Sequence, residues 1–293
     1  MAERMVDTGG GVELCTEAFG DPSDPPVLLV MGTGASMLWW EEGFCRMLAE
    51  GGRHVIRYDH RDTGRSITHE PGHLEYTGTD LVRDAVGVLD ALRVPAAHVV
   101  GVSAGGGLAQ RVALEHADRV LSLVLISTTS VAPVPGDREL PPPTEEFMHF
   151  VSTAEADWSE TEAVIDHLVA YARVLAGGSR PFDEPAARGL VRRDVERAHD
   201  IAAAQNHDLL TDGESALALA PLSSIAVPTL VIHGTADPMF PFAHAEALAE
   251  AIPSARLLAL DGAGHGVDRA DWETIVGAIL PHTATDGMSA TSG

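Results

Sequence analysis

An α/β fold is predicted, with a mostly parallel, doubly wound sheet and an inserted helical cap. Three observations predict it. Short apolar runs recur along the chain, most of them continuous rather than alternating, as strands covered on both faces require. Helical patterns fill the intervals between runs, so the strands are joined by crossovers and lie parallel. After residue 127 that rhythm stops, and prolines followed by helical segments occupy the chain to about residue 220.

The strands are read from Val27-Leu28-Leu29-Val30-Met31, His54-Val55-Ile56-Arg57-Tyr58 and His98-Val99-Val100, then Leu121 to Ile126, Thr229 to Ile232 and Ala255 to Leu260. Leu81 to Leu92 and Gly106 to His116 carry helical spacing. Pro133, Pro135 and Pro141-Pro142-Pro143 break regular structure, and the stretch from about 145 to 215 reads as helices without a strong strand. Residues 1–130 and 221–281 are therefore expected to form the core, 131–220 a helical cap and 282–293 a flexible polar tail. No internal repeat is apparent.

With 293 residues, 45% of them hydrophobic, the chain is long enough for one large core and a subdomain. No apolar stretch reaches the roughly 18 residues of a membrane span, and Met1 to Asp7 lacks the basic start and apolar block of a secretory signal. Cys15 and Cys45 stand outside any metal-ligand or Cys-x-x-Cys spacing and are expected as buried, small apolar groups. A cytoplasmic location is the expectation. The formal charge of −24 comes from 43 acidic against 19 basic residues, and every basic residue is arginine. Such a surface repels phosphate backbones and anionic lipid, so neither nucleic acid nor membrane is expected as a partner. The absence of lysine also removes Schiff-base and P-loop chemistry.

The chemistry-bearing motif is Gly101-Val102-Ser103-Ala104-Gly105, placed directly after the run Ala97 to Val100. A strand that ends there and turns sharply into a helix leaves the Ser103 hydroxyl at the tip, with small residues where larger ones would collide. Read alone, the pentad also fits an ordinary turn. A helix start at this point aims backbone N–H groups at developing negative charge, which makes Ser103 the candidate nucleophile. A serine nucleophile needs a base and an orienting carboxylate. His265 follows the last strand in Gly262-Ala263-Gly264-His265-Gly266, and Asp237 follows Thr229 to Ile232 in Gly234-Thr235-Ala236-Asp237-Pro238. Both fall beyond the C-terminal ends of strands, where open α/β sheets gather catalytic groups. Asp237 also fits a local turn before Pro238, with Asp261 and Asp268 as rival carboxylates. Oxyanion donors are expected at the amides of Ala104 and of Thr33, the latter in Met31-Gly32-Thr33-Gly34. Gly32 to Gly34 also fits a plain turn or a phosphate cradle, but the Gly-Lys-Ser/Thr and Gly-x-Gly-x-x-Gly patterns are missing.

The order Ser103, Asp237, His265, together with Tyr58-Asp59-His60-Arg61-Asp62-Thr63-Gly64-Arg65-Ser66, resembles the α/β-hydrolase family over nearly the full length. Met31 where that family commonly has histidine, and Asp62 where it commonly has glycine, are similar to the aclacinomycin methylesterase branch, strongly so through about residue 126. The resemblance fades in the cap, and Ala104-Gly105-Gly106-Gly107 departs from the Met-Gly-Ala of that branch. It implies a serine carboxylic-ester hydrolase acting on a small apolar or polycyclic ester, a methyl ester among them, with a Ser-His-Asp triad and no metal or organic cofactor. Trp39, Trp40, Phe147, Met148, Phe150 and Trp158 are candidate pocket residues, although helix packing explains the four cap residues equally well. A lactonase, a cofactor-free perhydrolase and a nonenzymatic binder of hydrophobic ligands stay open as alternatives. The oligomeric state is not legible. Epoxide or haloalkane opening is disfavoured, because position 103 is serine rather than the aspartate nucleophile those members use.

Overall fold

In a computed structural model describing residues 2–134, 139–210 and 219–284, eight strands form one sheet in the order β1-β2-β4-β3-β5-β6-β7-β8. The strands are β1 (Arg4–Asp7), β2 (Glu13–Phe19), β3 (Pro26–Val30), β4 (His54–Tyr58), β5 (Ala97–Val102), β6 (Val120–Ile126), β7 (Thr229–Gly234) and β8 (Ala255–Leu260). From β4 through β8 all neighbours are parallel, whereas β1 and β2 pair antiparallel at one margin. The core helices are α1 (Glu42–Glu50), α2 (Gly78–Ala91), α3 (Ala104–Glu115), α7 (Ala243–Ala251) and α8 (Trp272–His282).

The continuous apolar runs are explained by burial on both faces. In β3, Leu28 and Val30 join the layer beneath α2, α3 and α7, while Val27 and Leu29 join the layer beneath α1 and α8. β6 repeats the division, with Leu123 and Leu125 on the first face and Val124 and Ile126 on the second. Each such side chain contributes about 1.5–3 kcal/mol by leaving water, so neither face tolerates a polar residue cheaply. β1 and β2 escape a reading by apolar runs because they are marginal strands. Arg4–Asp7 is mostly exposed, and Glu13–Phe19 mixes Glu13, Thr16 and Glu17 among its apolar positions.

Between β6 and β7 lies the helical insertion, comprising α4 (Glu145–Thr153), α5 (Thr161–Leu175), α6 (Glu184–Arg197) and a 3-10 segment, Ile201–Leu209. Side-chain oxygens start two of its helices: Thr144 accepts from the Phe147 amide and Asp183 from the Ala186 amide. Val164, Ile165, Val169, Val191 and Val195 form a separate small core. Parts of the expected cap, residues 135–138 and 211–218, lie outside the described residues.

The expected tail begins too early. His282 ends α8 with its Nε2 3.1 Å from the Leu123 carbonyl oxygen, and Thr283 is fully buried, its hydroxyl accepting from Arg53 Nε at 2.8 Å. Both belong to the core; residues 285–293 lie outside the described residues. Among the described residues no helix is long and apolar enough to cross a membrane. Cys15 and Cys45 are buried and unpaired, as expected.

Candidate active site

β5 ends at Val102 and α3 begins at Ala104, so Ser103 is the whole turn, with φ 54° and ψ −127°. A non-glycine residue at positive φ is strained, and neighbouring contacts hold it there. The Ser103 amide donates to the Ile126 carbonyl at 3.0 Å, and the Thr128 hydroxyl donates to the Ser103 carbonyl at 2.7 Å. Glycines make the bend possible: a Cβ at Gly101 would stand 2.2 Å from the Gly105 oxygen, and one at Gly105 would stand 2.3 Å from the Val30 oxygen.

The Gly32-Thr33-Gly34 loop runs beside this turn, a Cβ at Gly32 falling 3.2 Å from Ser103 Cβ. Neither the Thr33 nor the Ala104 amide is spent on an acceptor among the described residues. His60, 1% exposed, holds the front of the loop, its Nε2 donating to the Met31 carbonyl at 2.9 Å. The Gly34 amide donates to His207 Nδ1 at 2.9 Å.

Asp237 and His265 meet. His265 Nδ1 lies 2.8 Å from Asp237 Oδ2, the imidazole 6% exposed and the carboxylate fully buried. Asp237 Oδ1 accepts from the Met239 and Phe240 amides at 2.9 and 2.8 Å. Burial by itself would raise the Asp237 pKa, but the His265 and His233 imidazoles outweigh it and hold the carboxyl well below the usual carboxylate range. His265 Nε2 has no hydrogen-bond partner among the described residues. The Ser103 hydroxyl donates to Met239 Sδ at 4.0 Å, so serine and histidine are neighbours of one turn without a bond between them.

His233, Met239 and Phe240 escaped the sequence reading. Fully buried at the end of β7, His233 donates from Nε2 to the Phe240 carbonyl at 2.7 Å and stands 3.2 Å from Asp237 Oδ2. The Phe240 ring lies 5.7 Å from the His265 ring. The signal was position: all three lie within four residues of Asp237, His233 at the end of β7 and Met239 and Phe240 on the turn that wraps its carboxylate.

One of the pocket expectations needs correction. Trp40 is 1% exposed and stacks on Phe44 with centroids 5.6 Å apart, so it belongs to the core beneath α1. Trp39 instead meets the insertion, its indole N–H donating to Asp194 Oδ2 at 2.7 Å. Phe147 and Phe150 pack on Tyr171, Phe150 and Trp158 on His167, and Met148 is exposed. These ring contacts join α4 and the connection after it to α5. Of the two rival carboxylates, Asp268 is engaged elsewhere, capping a short 3-10 turn through the Ala270 amide. No group of three or more metal-ligating side chains occurs among the described residues.

A parallel sheet with a strained serine between strand and helix, and an aspartate-histidine pair at the ends of later strands, defines an α/β-hydrolase of the serine-hydrolase class. Residues 21–268 match the family described as "Serine aminopeptidase, S33", and the chain belongs to that family. It is 33% identical over 298 residues to rhodomycin D methylesterase DauP of Streptomyces sp. (strain C5), covering 97% of this chain and 98% of that one. It is likewise 33% identical to rhodomycin D methylesterase DnrP of Streptomyces peucetius, with the same coverage. The esterase EaEST of Exiguobacterium antarcticum shares the fold at TM-score 0.76 and 22% identity, covering 97% of this chain and all of that one.

Proposed function

We propose that this enzyme hydrolyses carboxylic esters of small apolar or polycyclic molecules, methyl esters among them, through an acyl-enzyme on Ser103. The observation that carries the reading is the His265-Asp237 pair, its aspartate on the turn whose Met239 sulfur the hydroxyl of the strained Ser103 contacts. Likeness to two rhodomycin D methylesterases along nearly the whole chain supports the methyl ester. When substrate enters, the Ser103 hydroxyl turns from the Met239 sulfur to His265 Nε2 and gives up its proton as its oxygen attacks the ester carbonyl. Asp237 holds Nδ1 protonated, and the Thr33 and Ala104 amides receive the oxyanion. His265 returns the proton to the departing alkoxide, then draws one from water that attacks the acyl-enzyme, releasing the acid and restoring Ser103. The two buried, unpaired cysteines accord with a cytoplasmic setting.

Methanol release from a panel of aromatic polyketide methyl esters, run beside p-nitrophenyl esters and lactones, tests the substrate. Methanol from at least one methyl ester, lost in Ser103→Ala, is the expected result. Rapid lactone opening without methanol would overturn it.

A further inference from the structure

We propose that His207, carried by the helical insertion, is a positioning residue for the oxyanion loop, so that seating of the insertion and readiness of the hole are one event. This rests on the serine-hydrolase reading of the same site.

The hydrogen bonds fix the chemistry of the ring. His207 Nδ1 accepts from the Gly34 amide at 2.9 Å, so that nitrogen carries no proton. The proton is therefore on Nε2, which donates to the Arg61 carbonyl at 2.8 Å. Burial, reinforced by the neighbouring His60 ring, lowers the His207 pKa to about 4 and keeps the imidazole neutral near pH 7. A cationic ring would present N–H to N–H and break the link.

Its place in the loop gives that bond a function. His60 grips the Met31 carbonyl and His207 grips the Gly34 amide, so two imidazoles bracket Gly32 and Thr33. The Thr33 amide lies between the grips, is not spent on an acceptor among the described residues, and is free to bind an oxyanion. Gly34 has φ 70°, and a Cβ there would stand 3.8 Å from the Ala204 carbonyl oxygen, so the same 3-10 segment lies over the loop. Asn206 fixes that segment from the other side. Its Nδ2 donates to Asp62 Oδ2 at 2.9 Å and its Oδ1 accepts from the Gly72 amide at 2.7 Å. Asp62, at φ 62°, also accepts from the Tyr76 hydroxyl at 2.8 Å and from the His69 amide at 2.6 Å. The aspartate that stands where glycine is common in the fold thus docks the insertion.

His207→Ala and His207→Gln test the proposal, glutamine offering an amide oxygen to Gly34. Alanine is expected to lower kcat on p-nitrophenyl acetate by about 10- to 100-fold with little change in KM, since a misplacement near 1 Å costs on the order of 10² in rate. Affinity for an arylboronate, a tetrahedral mimic, should fall by the same factor and glutamine should restore part of both, while affinity for product acid holds. Ring nitrogen NMR of the wild type reads the same link without a variant, and should show Nδ1 unprotonated. A folded alanine variant with kcat and boronate affinity within about twofold of wild type, or a protonated Nδ1, would overturn the proposal. A wild type inert to esters and unlabelled by a fluorophosphonate would overturn the hydrolase reading instead.

Discussion

At residue 103 the backbone is bent into a region that serine avoids, and the cost is on the order of 1–3 kcal/mol. Ser103→Gly relieves it. That variant is expected to melt several degrees above wild type while losing fluorophosphonate labelling; a lower melting temperature would show that the turn is not strained. At the carboxylate, Asp237→Asn keeps the shape but removes the charge that favours one His265 tautomer, and a loss on the order of 10⁴ in kcat is expected from steady-state kinetics. The residue types of this site were legible because the Gly-x-Ser-x-Gly turn and the chain order of acid and base leave few candidates. The supporting shell was not. Whether Trp39 or Trp40 faces inward depends on how the Met37–Trp39 3-10 turn rolls the pair, and adjacency alone cannot say. His233 reads as one more strand residue until the turn after β7 brings Asp237 Oδ2 to 3.2 Å from its Nε2.

Among the elements, β3 to β7 were legible from runs that bury both faces, β8 from an apolar run that the sheet edge leaves half exposed, and the marginal pair β1 and β2 was hidden by short length and polar side chains. How the insertion grips the core was hidden as well, because each grip joins residues far apart in sequence. The His265 amide donates to the Leu175 carbonyl at the end of α5, at 2.8 Å. From the last turn of α6, Arg197 reaches Asp59 and Glu3, both at 2.7 Å, with the guanidinium side chain 8% exposed and Asp59 fully buried. Asp59 in turn accepts from the Met37 amide at 2.8 Å, just past the oxyanion loop. Arg197→Ala strands that carboxylate, and a loss of about 3–5 kcal/mol in urea unfolding is expected. A loss under about 1 kcal/mol would mean that water replaces the guanidinium there.

For the molecule as a whole, buried neutral histidines set the acid limit. His60, His98 and His207 are each lowered from 6.5 to about 4, chiefly by burial. Unfolded chains bind these protons at higher pH than the folded protein does, so stability is full above pH 6.5 and falls as pH drops toward 4. Unfolding free energy measured across that window should decline as unfolding becomes coupled to proton uptake by these rings; a flat profile would show that they accept protons without unfolding. The sequence supplied the histidines but not their burial, which only the packed fold defines. The anchoring of the catalytic loops by Leu175, Arg197 and His207 has a last consequence for protein engineering. Replacing the whole insertion on this scaffold would discard those three holds together, so a transplanted segment needs equivalent anchors if the loops beneath it are to keep their places.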